Sequence, residues 1–326
     1  MKASVIVPTF NSSVLLDRCL RTFRAQKLAA SDSLEVLIVD DGSTDPTAET
    51  VQRHMTADSR FRYLHLHRSA TSSRSAARNR GAEEATGDIL IFVDGDQLVP
   101  PTFTDRHLRH YRVMPEKKAV IGFRKYLRAP DAFDDRFIKD GAEEFLGSLI
   151  KSDIRLDLLS RLSDLGGDLK TSWHLFFTCN VSVPSVDYKR VGGFNEEFRG
   201  WGLEDSELGY RLGRSGTQIV FDEESFAYHQ GPPLSPNKPF YEDWLKNLSL
   251  FIALHKEAPE VILQAMLAPI FNPAVGANWT DLYEQFEMCA RSTPAAFPGS
   301  RVEVEVGEFP APVAQAELGD DSETHP

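Results

Sequence analysis

The stretch ILIFVDGDQLVPP, residues 89–101, contains the strongest structural signal in the chain. Its first five residues, 89–93, are apolar throughout, which is typical of a central strand buried on both faces. Asp94, Gly95 and Asp96 follow at the strand end, so two carboxylates flank a residue without a side chain. Such oxygen ligands suit Mg²⁺ or Mn²⁺, although ordinary acidic turns also contain Asp-x-Asp.

The sequence before this stretch alternates between strand and helix patterns. Three further β-rich runs cover residues 5–7, 35–39 and 61–66, and helical patterns separate them. The order βαβαβαβ predicts an α/β fold with a mostly parallel sheet flanked by helices. Cys19 lies on the apolar face of the first helical pattern, where we expect a core residue.

Polar side chains follow three of these strands. They are Pro8, Thr9 and Asn11 after the first strand, Asp40 and Asp41 after the second, and Asp94-Gly95-Asp96 after the fourth. In such sheets, ligands bind beyond the carboxyl ends of the strands. The pattern therefore predicts a largely acidic ligand site at this edge, although a Gly-containing turn also explains residues 40–43.

Two arginines lie close to the predicted site in sequence. Arg74 and Arg78 are one helical turn apart, so they share a face of the helix predicted around 75–85. A guanidinium matches phosphate geometry, and this face can grip a phosphate. A solvated basic face is the alternative interpretation.

The second half contains the stretch GGFNEEFRGWGLEDSELGYRL, residues 192–212. Its Gly-Trp-Gly loop, with Trp201 and Gly202, runs into a helix that begins with Glu204 and Asp205. The helix dipole favours carboxylates at this end, and sugar sites often pair aromatic faces with carboxylates. An ordinary acidic helix start is the alternative.

The remaining patterns are less regular. Strands are predicted at 119–123, 176–183, 219–221 and 225–228, helices and loops at 131–172, a Pro-rich break at 231–239, and helices at 240–257 and 259–290. His229 follows the last of these strands and is either a further metal ligand or a structural histidine.

Composition narrows the class of protein. The net charge is −12, of which residues 301–326 contribute −6, and an acidic globule does not favour nucleic-acid binding. The three cysteines, Cys19, Cys179 and Cys289, lack zinc or disulfide spacing, which favours a reducing compartment. No apolar run reaches the length of a membrane span. We therefore expect a cytoplasmic protein, with association to a membrane surface left open.

Taken together, these residues resemble the family-2 glycosyltransferases with the GT-A fold. The segments that carry the resemblance are VIVPTFN (5–11), VDDGSTD (39–45), ARNRGAEEATGD (77–88), FVDGDQLVPP (92–101), CNVSVP (179–184) and residues 192–212. The last segment is similar to the C-terminal catalytic region of chondroitin-polymerase-like and galactosyltransferase-like enzymes.

The resemblance implies a role for each matching residue. Asp94 and Asp96 would hold the metal and the donor diphosphate, with His229 as a late metal ligand. Thr9, Asp41 and Arg78 would bind the nucleotide, with Asp40 as a neighbour. Asp205 matches the catalytic base, and Glu204 and Trp201 match residues that line the sugar site.

The resemblance also implies a domain organisation. We expect a Rossmann-like GT-A domain at 1–230, with a nucleotide-binding half (1–100) and an acceptor or catalytic half (101–230). A helical extension (231–290) and a disordered acidic tail (291–326) would follow. Gln97 departs from many relatives, and the Gln-x-x-Arg-Trp sequence of processive synthases is absent from this sequence.

The expected function is metal-dependent, inverting, non-processive transfer of a hexosyl or N-acetylhexosaminyl group. The donor would be a nucleotide-diphosphate sugar, with a UDP-sugar favoured, and the acceptor a glycan, lipid, peptide or small molecule. One alternative is nucleotidyl transfer to a sugar phosphate, but the loop at 8–12 lacks the Gly and Arg residues this chemistry usually needs. The other is a non-catalytic sugar-nucleotide-binding protein, which the retained carboxylates disfavour.

Overall fold

The computed structural model describes residues 1–113, 117–128, 135–146, 149–162, 168–233, 235, 237–293 and 300–301. The expected acidic tail, 291–326, lies outside the described residues apart from 291–293 and 300–301. Within the described part, no helix combines the length and the apolar character needed to cross a membrane. Cys19, Cys179 and Cys289 are free, and Cys19 is a core residue as expected.

Strands and helices alternate through the first hundred residues, as predicted. The strands are β1 (Lys2–Thr9), β2 (Ser33–Asp40), β3 (Phe61–His65), β4 (Ile89–Val93), β5 (Gln97–Leu98), β6 (Lys118–Leu127), β7 (Leu149–Lys151), β8 (Asp168–Leu169), β9 (Asn180–Pro184), β10 (Gln218–His229) and β11 (Ser300–Arg301). The helices are α1 (Ser13–Arg24), α2 (Thr47–Ala57), α3 (Arg74–Glu84), α4 (Phe103–Val113), α5 (Asp135–Asp140), α6 (Ile154–Leu162), α7 (Ser185–Arg190), α8 (Glu204–Arg214), α9 (Lys238–Leu254), α10 (Pro259–Leu263), α11 (Ala268–Phe271) and α12 (Trp279–Ser292). Short 3₁₀ segments cover Glu143–Phe145, Ser172–Leu175 and Gln264–Leu267.

One mixed sheet forms the centre of the molecule. Its strand order is β3-β2-β1-β4-β9-β6-β10-β5, and β7 pairs with β6. The first four strands are parallel, as predicted, but β9 is antiparallel to both β4 and β6. The sheet is therefore mixed, and most of its strands run parallel as predicted, because β6 and β10 point the same way as the first four. Asn180 pairs with Val93, so β9 begins at the edge where β4 ends.

Two predicted strand boundaries differ from the structure. The run 176–183 becomes a strand only from Asn180, because the preceding Thr178 donates hydrogen bonds to a side chain instead of to a neighbouring strand. The runs 219–221 and 225–228 are parts of the single strand β10, which is interrupted by an irregularity between Phe221 and Phe226.

Alternating side chains of the strands pack into two cores, one on each face of the sheet. On β4, Ile89, Ile91 and Val93 pack on the face that holds α1, whereas Leu90 and Phe92 pack on the opposite face. All five are nearly or fully buried, which explains why this strand is apolar without alternation.

The C-terminal helices complete the second of these cores. Trp173 is fully buried, and its indole contacts the rings of Tyr210 on α8, Phe251 on α9 and Phe286 on α12. The helical extension therefore packs directly against the sheet domain, and its aromatic residues share one core with the domain.

Helix α9 also fixes the Gly-Trp-Gly loop before α8. The amide of Asn247, which is 4% exposed, donates to the carbonyls of Arg199 at 3.0 Å and Gly202 at 2.8 Å. Gly200 has a φ of 71°, which favours glycine, and a Cβ there would lie 2.1 Å from a carboxylate oxygen of Asp243, whose side chain would have to move. Leu203, which caps α8, adopts a left-handed φ of 71°, a conformation that non-glycine residues hold only when their surroundings impose it.

We expect Asn247→Ala to destabilise the protein by about 2 kcal/mol, because buried loop carbonyls lose their donor. The measurement is the free energy of unfolding from chemical denaturation. Lys246→Ala, on the exposed side of the same helix, is the matched control and should change stability by less than about 0.5 kcal/mol. Equal effects of the two changes would mean that the amide does not hold the loop.

Candidate active site

The predicted strand ends meet at one edge of the sheet. Thr9 pairs with Asp40 across β1 and β2, and Ile6 of β1 pairs with Phe92 of β4. Asp94 therefore follows its strand at the same edge, which confirms the predicted meeting of strand ends.

Arg78 joins the acidic groups of this region into what we call the Arg78 cluster: Arg78, Asp94, Glu204 and Asp205. The Arg78 side chain is 3% exposed, and its Nη2 donates to Asp94 Oδ1 at 3.0 Å. Its Nη1 lies 3.5 Å from Asp205 Oδ1 and 3.8 Å from Glu204 Oε1. Arg74, one turn earlier, is 3.9 Å from Glu204 Oε1. The structure thus brings together both predicted arginines and three predicted carboxylates.

Burial opposes the charged form of each buried group in this cluster, and the neighbours decide the outcome. Burial acts to lower the pKa of Arg78, but Asp205, Asp94 and Glu204 outweigh it and raise that pKa. Burial acts to raise the pKa of Asp94, but Arg78 and Arg74 hold it below its usual range. For Glu204, burial and the Asp205 charge together raise the pKa. Glu204 therefore takes up a proton more readily than an ordinary glutamate.

Asp205 is held through both of its carboxylate oxygens. The backbone N–H of Thr178 donates to Oδ2 at 3.0 Å, and the Thr178 hydroxyl donates to Oδ1. Asp205 also lies in the first turn of α8, where the helix dipole favours a negative charge. A fixed and partly exposed carboxylate of this kind can accept a proton from a ligand hydroxyl.

On the side predicted to bind the nucleotide, Asp41 is buried next to the half-exposed Arg68. Its Oδ2 accepts a hydrogen bond from Arg68 Nη1 at 2.5 Å, and the same guanidinium lies 3.9 Å from the centre of the Phe10 ring. Phe10 is 43% exposed although it is a large apolar residue. An exposed ring beside a carboxylate is suited to a flat, polar-edged ligand such as a nucleobase.

The other predicted residues of this side are engaged within the protein. Asp40 is buried and accepts hydrogen bonds from the Tyr63 hydroxyl at 2.6 Å and the Ser43 N–H at 2.8 Å. Asn11 Oδ1 accepts from the Thr44 N–H at 2.8 Å. These side chains shape the turns of the site from within.

Contacts between turns hold the strand ends together. The Thr9 hydroxyl lies 3.1 Å from that of Ser12. A Cβ at Gly95 would lie 3.2 Å from the Pro8 carbonyl oxygen, so the residue between the two aspartates packs tightly on β1.

Asp96 and His229, two of the predicted metal ligands, lie next to each other. His229 Nε2 lies 3.3 Å from Asp96 Oδ2, and its Nδ1 is 3.0 Å from the Gly231 carbonyl oxygen. Asp96 Oδ1 is buried and has no hydrogen-bond partner among the described residues. An unpartnered carboxylate oxygen beside an imidazole fits a divalent cation.

The predicted metal ligands do not form a complete site by themselves. Asp94 is turned towards Arg78. Among the described side chains, no three of His, Cys, Asp or Glu stand close enough together to hold a metal ion. Any bound cation would therefore need oxygen ligands from a substrate, and the metal assignment stays a prediction.

A cavity of about 300 Å³ opens beside the Arg78 cluster. One wall is charged and contains the cluster, Arg74 and Arg124. The apolar part of the lining, which we call the apolar wall, contains Trp201, Phe240, Trp244, Ile270, Phe271 and Trp279. Trp201 stacks on Phe240 with ring centroids 5.5 Å apart and an angle of 18° between the rings. The C-terminal helices thus supply most of the apolar wall.

Thr178, Arg124 and His174 are among the polar residues of the site that were not predicted from the sequence. Thr178 holds Asp205, and Arg124 and His174 line the cavity. His174 is buried, has no partner for either ring nitrogen among the described residues, and burial lowers its pKa to about 3. No sequence signal marks them, because none lies in a segment that carries the family resemblance. Thr178 directly precedes the segment 179–184 but is not part of it.

Two family models match the chain. The model of glycosyl transferase family 2 matches residues 4–145. The model described as the N-terminal domain of galactosyltransferase matches residues 166–229. Residues 230–326, including most of the apolar wall, lie outside both matches.

Curated relatives include enzymes named for sugar transfer. The chain is 32% identical over 260 residues to validoxylamine A glucosyltransferase of Streptomyces hygroscopicus subsp. jinggangensis, covering 77% of this chain and 60% of that protein. It is 29% identical over 253 residues to chondroitin synthase of Pasteurella multocida, covering 72% of this chain and 25% of that protein. The chain thus spans less than two thirds of either relative.

Solved structures show the same fold. TarS of S. aureus aligns with a TM-score of 0.53 and 17% identity, over 81% of this chain and 42% of that one. The mannosyltransferase PcManGT of Pyrobaculum calidifontis, solved with GDP-Man and Mn²⁺, aligns with a TM-score of 0.53 and 17% identity, over 88% of this chain and 70% of that one. Both likenesses confirm the expected fold class.

The raised pKa of Glu204 predicts a stability effect that depends on pH. Above the pKa of Glu204 in the folded protein, its buried charge opposes folding, whereas near pH 4 the residue is largely protonated in both states. Glu204→Gln should therefore raise Tm by about 2–4 °C near pH 8, and the gain should disappear near pH 4.

Glu207→Gln on the same helix is the matched control with the opposite sign. Burial acts to raise the pKa of Glu207, but hydrogen bonds from His255 and Arg211 outweigh it and lower that pKa. Its charge therefore stabilises the fold, and Glu207→Gln should lower Tm near pH 8. Thermal melts at both pH values are the measurement, and a Tm for Glu204→Gln that falls near pH 8 would contradict this view of the cluster.

The first family match contains every predicted residue on the nucleotide side, together with Arg78, Asp94 and Asp96. The second contains Trp201, Glu204, Asp205 and His229. The two matched segments are consecutive in the chain, and each contributes residues to the Arg78 cluster. By these matches, residues 4–145 belong to glycosyl transferase family 2, and the described chain has the GT-A fold.

Proposed function

We propose that this protein transfers a hexosyl or N-acetylhexosaminyl group from a nucleotide-diphosphate sugar to an acceptor hydroxyl or similar nucleophile, with inversion at the anomeric carbon. The observation that carries the proposal is the Arg78 cluster. It places a fixed carboxylate, Asp205, beside a buried guanidinium and the Asp94 carboxylate at one end of a cavity.

Asp205 is the proposed general base. Thr178 and the first turn of α8 orient its carboxylate, and its side chain is 21% exposed. It removes the proton from the acceptor hydroxyl as the oxygen attacks the anomeric carbon, and the bond from that carbon to the diphosphate breaks. Glu204, whose pKa is raised, lies in the first turn of the same helix and binds sugar hydroxyls.

The donor occupies the sheet edge in this proposal. The base lies near Asp41 and Phe10, and the diphosphate lies near Asp94 and Arg78. Two nitrogens of Arg78, Nε and Nη1, are buried without a hydrogen-bond partner among the described residues. A phosphate oxygen that binds them would satisfy both donors in a water-poor environment. A UDP-sugar is the favoured donor.

A divalent cation, Mn²⁺ or Mg²⁺, is part of the proposal. Asp96 and His229, with Asp94, would hold it, and the unpartnered Asp96 Oδ1 supports this assignment. When bound, such an ion neutralises charge on the diphosphate.

The apolar wall is the proposed acceptor side. Its aromatic faces suit the C–H face of a sugar ring, while the carboxylates of the same cavity bind hydroxyls. The relative named for validoxylamine A supports an acceptor like that compound, and the relative named for chondroitin supports a glycan.

We expect metal-dependent release of nucleoside diphosphate from one donor in a panel of UDP-, GDP- and dTDP-sugars. The measurement compares Mn²⁺, Mg²⁺ and EDTA. Asp96→Ala should remove the metal dependence and most turnover. Unchanged turnover and metal dependence in this variant would exclude Asp96 from the metal site, and no release or binding of any donor would reject the function.

We expect Asp205→Asn to lower kcat by about 100- to 10,000-fold, because the amide cannot accept the acceptor proton. Donor affinity, measured by calorimetry, should change by less than about twofold, since the residue acts on the acceptor. Asp281→Asn, an exposed acidic residue on α12, is the matched control and should keep full activity. Intact turnover by a folded Asp205→Asn protein would remove Asp205 from the role of base.

A further inference from the structure

The guanidinium of Arg124 lines the cavity without a hydrogen-bond or ion-pair partner among the described residues. It lies on β6, is partly buried, and lines the cavity with Arg74 and Arg78. Its backbone N–H donates to Asp153, but its guanidinium makes no hydrogen bond or ion pair within the described part of the chain. Its Nε is fully shielded from solvent and unpartnered.

The acids nearest to Arg124 are already paired with other arginines. Asp94 accepts a hydrogen bond from Arg78 at 3.0 Å, and Asp153 accepts from Arg155 at 2.6 Å. Removing a guanidinium from water without a partner costs free energy, so unpartnered buried donors in a cavity point to a ligand that supplies the acceptor atoms.

The strand register fixes where this cation stands. Arg124 Cζ lies 5.2 Å from the centre of the Tyr126 ring, and the Tyr126 ring lies 5.4 Å from that of His229. Tyr126 of β6 is paired with His229 of β10, and His229 faces Asp96. Arg124, Tyr126, His229 and Asp96 therefore form a row of successive contacts, with Arg124 at one end. Arg124 also lines the same cavity as Asp94.

We propose that Arg124 binds the diphosphate of the donor and of the nucleoside diphosphate product, from β6, while Arg78 binds it from α3. This inference rests on the proposed function and names a residue that the sequence analysis did not single out. A guanidinium offers two parallel donors to phosphate oxygens, which an ammonium does not. Arg124 thereby stabilises the leaving group as its bond to the sugar breaks.

The test is calorimetric binding of UDP and UMP, and of GDP and GMP, first in EDTA and then with Mn²⁺. EDTA makes the readout independent of metal and of turnover. Arg124→Gln should weaken binding of the diphosphate by roughly 10- to 100-fold and change binding of the monophosphate by less than about twofold. Arg124→Lys should recover part of the loss. Arg128→Gln, an exposed position on the same stretch, is the control with an equal charge change and should bind like the original protein.

Three results would overturn the proposal. They are unchanged diphosphate binding in Arg124→Gln, an equal loss for monophosphate and diphosphate, and a change confined to the acceptor KM, which would assign Arg124 to an anionic acceptor. Thermal melts show whether the variants are folded, and a guanidinium without a hydrogen-bond or ion-pair partner should be replaceable at little cost to stability. If the original protein binds none of the four nucleotides even with Mn²⁺, the proposed function itself fails, and this inference fails with it.

Discussion

The buried guanidinium of Arg78 is the interaction on which the rest of the site depends. It comes from a helix on one face of the sheet and contacts carboxylates from the end of β4 and the start of α8. A buried cation is tolerable only when enough negative charge surrounds it, and three carboxylates so close together are tolerable only around a cation. Sheet, loop and helix must therefore all be in place before any of these charges is stable.

The first half of the fold could be predicted because its signals are local. Strand β4 is apolar throughout, and the turns after β1, β2 and β4 carry polar residues, so pattern alone places them at one edge. The direction of β9 could not be predicted, because a strand-like run carries no sign of its orientation. The start of β9 was also predicted too early, because the hydrogen bonds of Thr178 go to Asp205 and the strand begins only after it.

Site residues could be predicted when they belong to segments that resemble the family. They could not be predicted when only tertiary packing brings them to the cavity. Asp94 and Asp205 belong to such segments, and the structure brings them to one guanidinium. Arg124 and His174 reach the cavity through strand pairing and core packing between distant parts of the chain. The apolar wall has the same origin, since its aromatic residues look like ordinary helix core in the sequence. Family matches end before most of this wall, where the proposed acceptor specificity lies.

The attachment of α9 to the loop before α8 bears on how the protein folds during its synthesis. A nascent chain that has emerged only as far as His229 already contains all the residues predicted for chemistry. It still lacks Asp243 and Asn247, which secure the loop ahead of Asp205, and the aromatic residues that close the core. The candidate site is thus not held in place until residues beyond the family matches have been synthesised and folded.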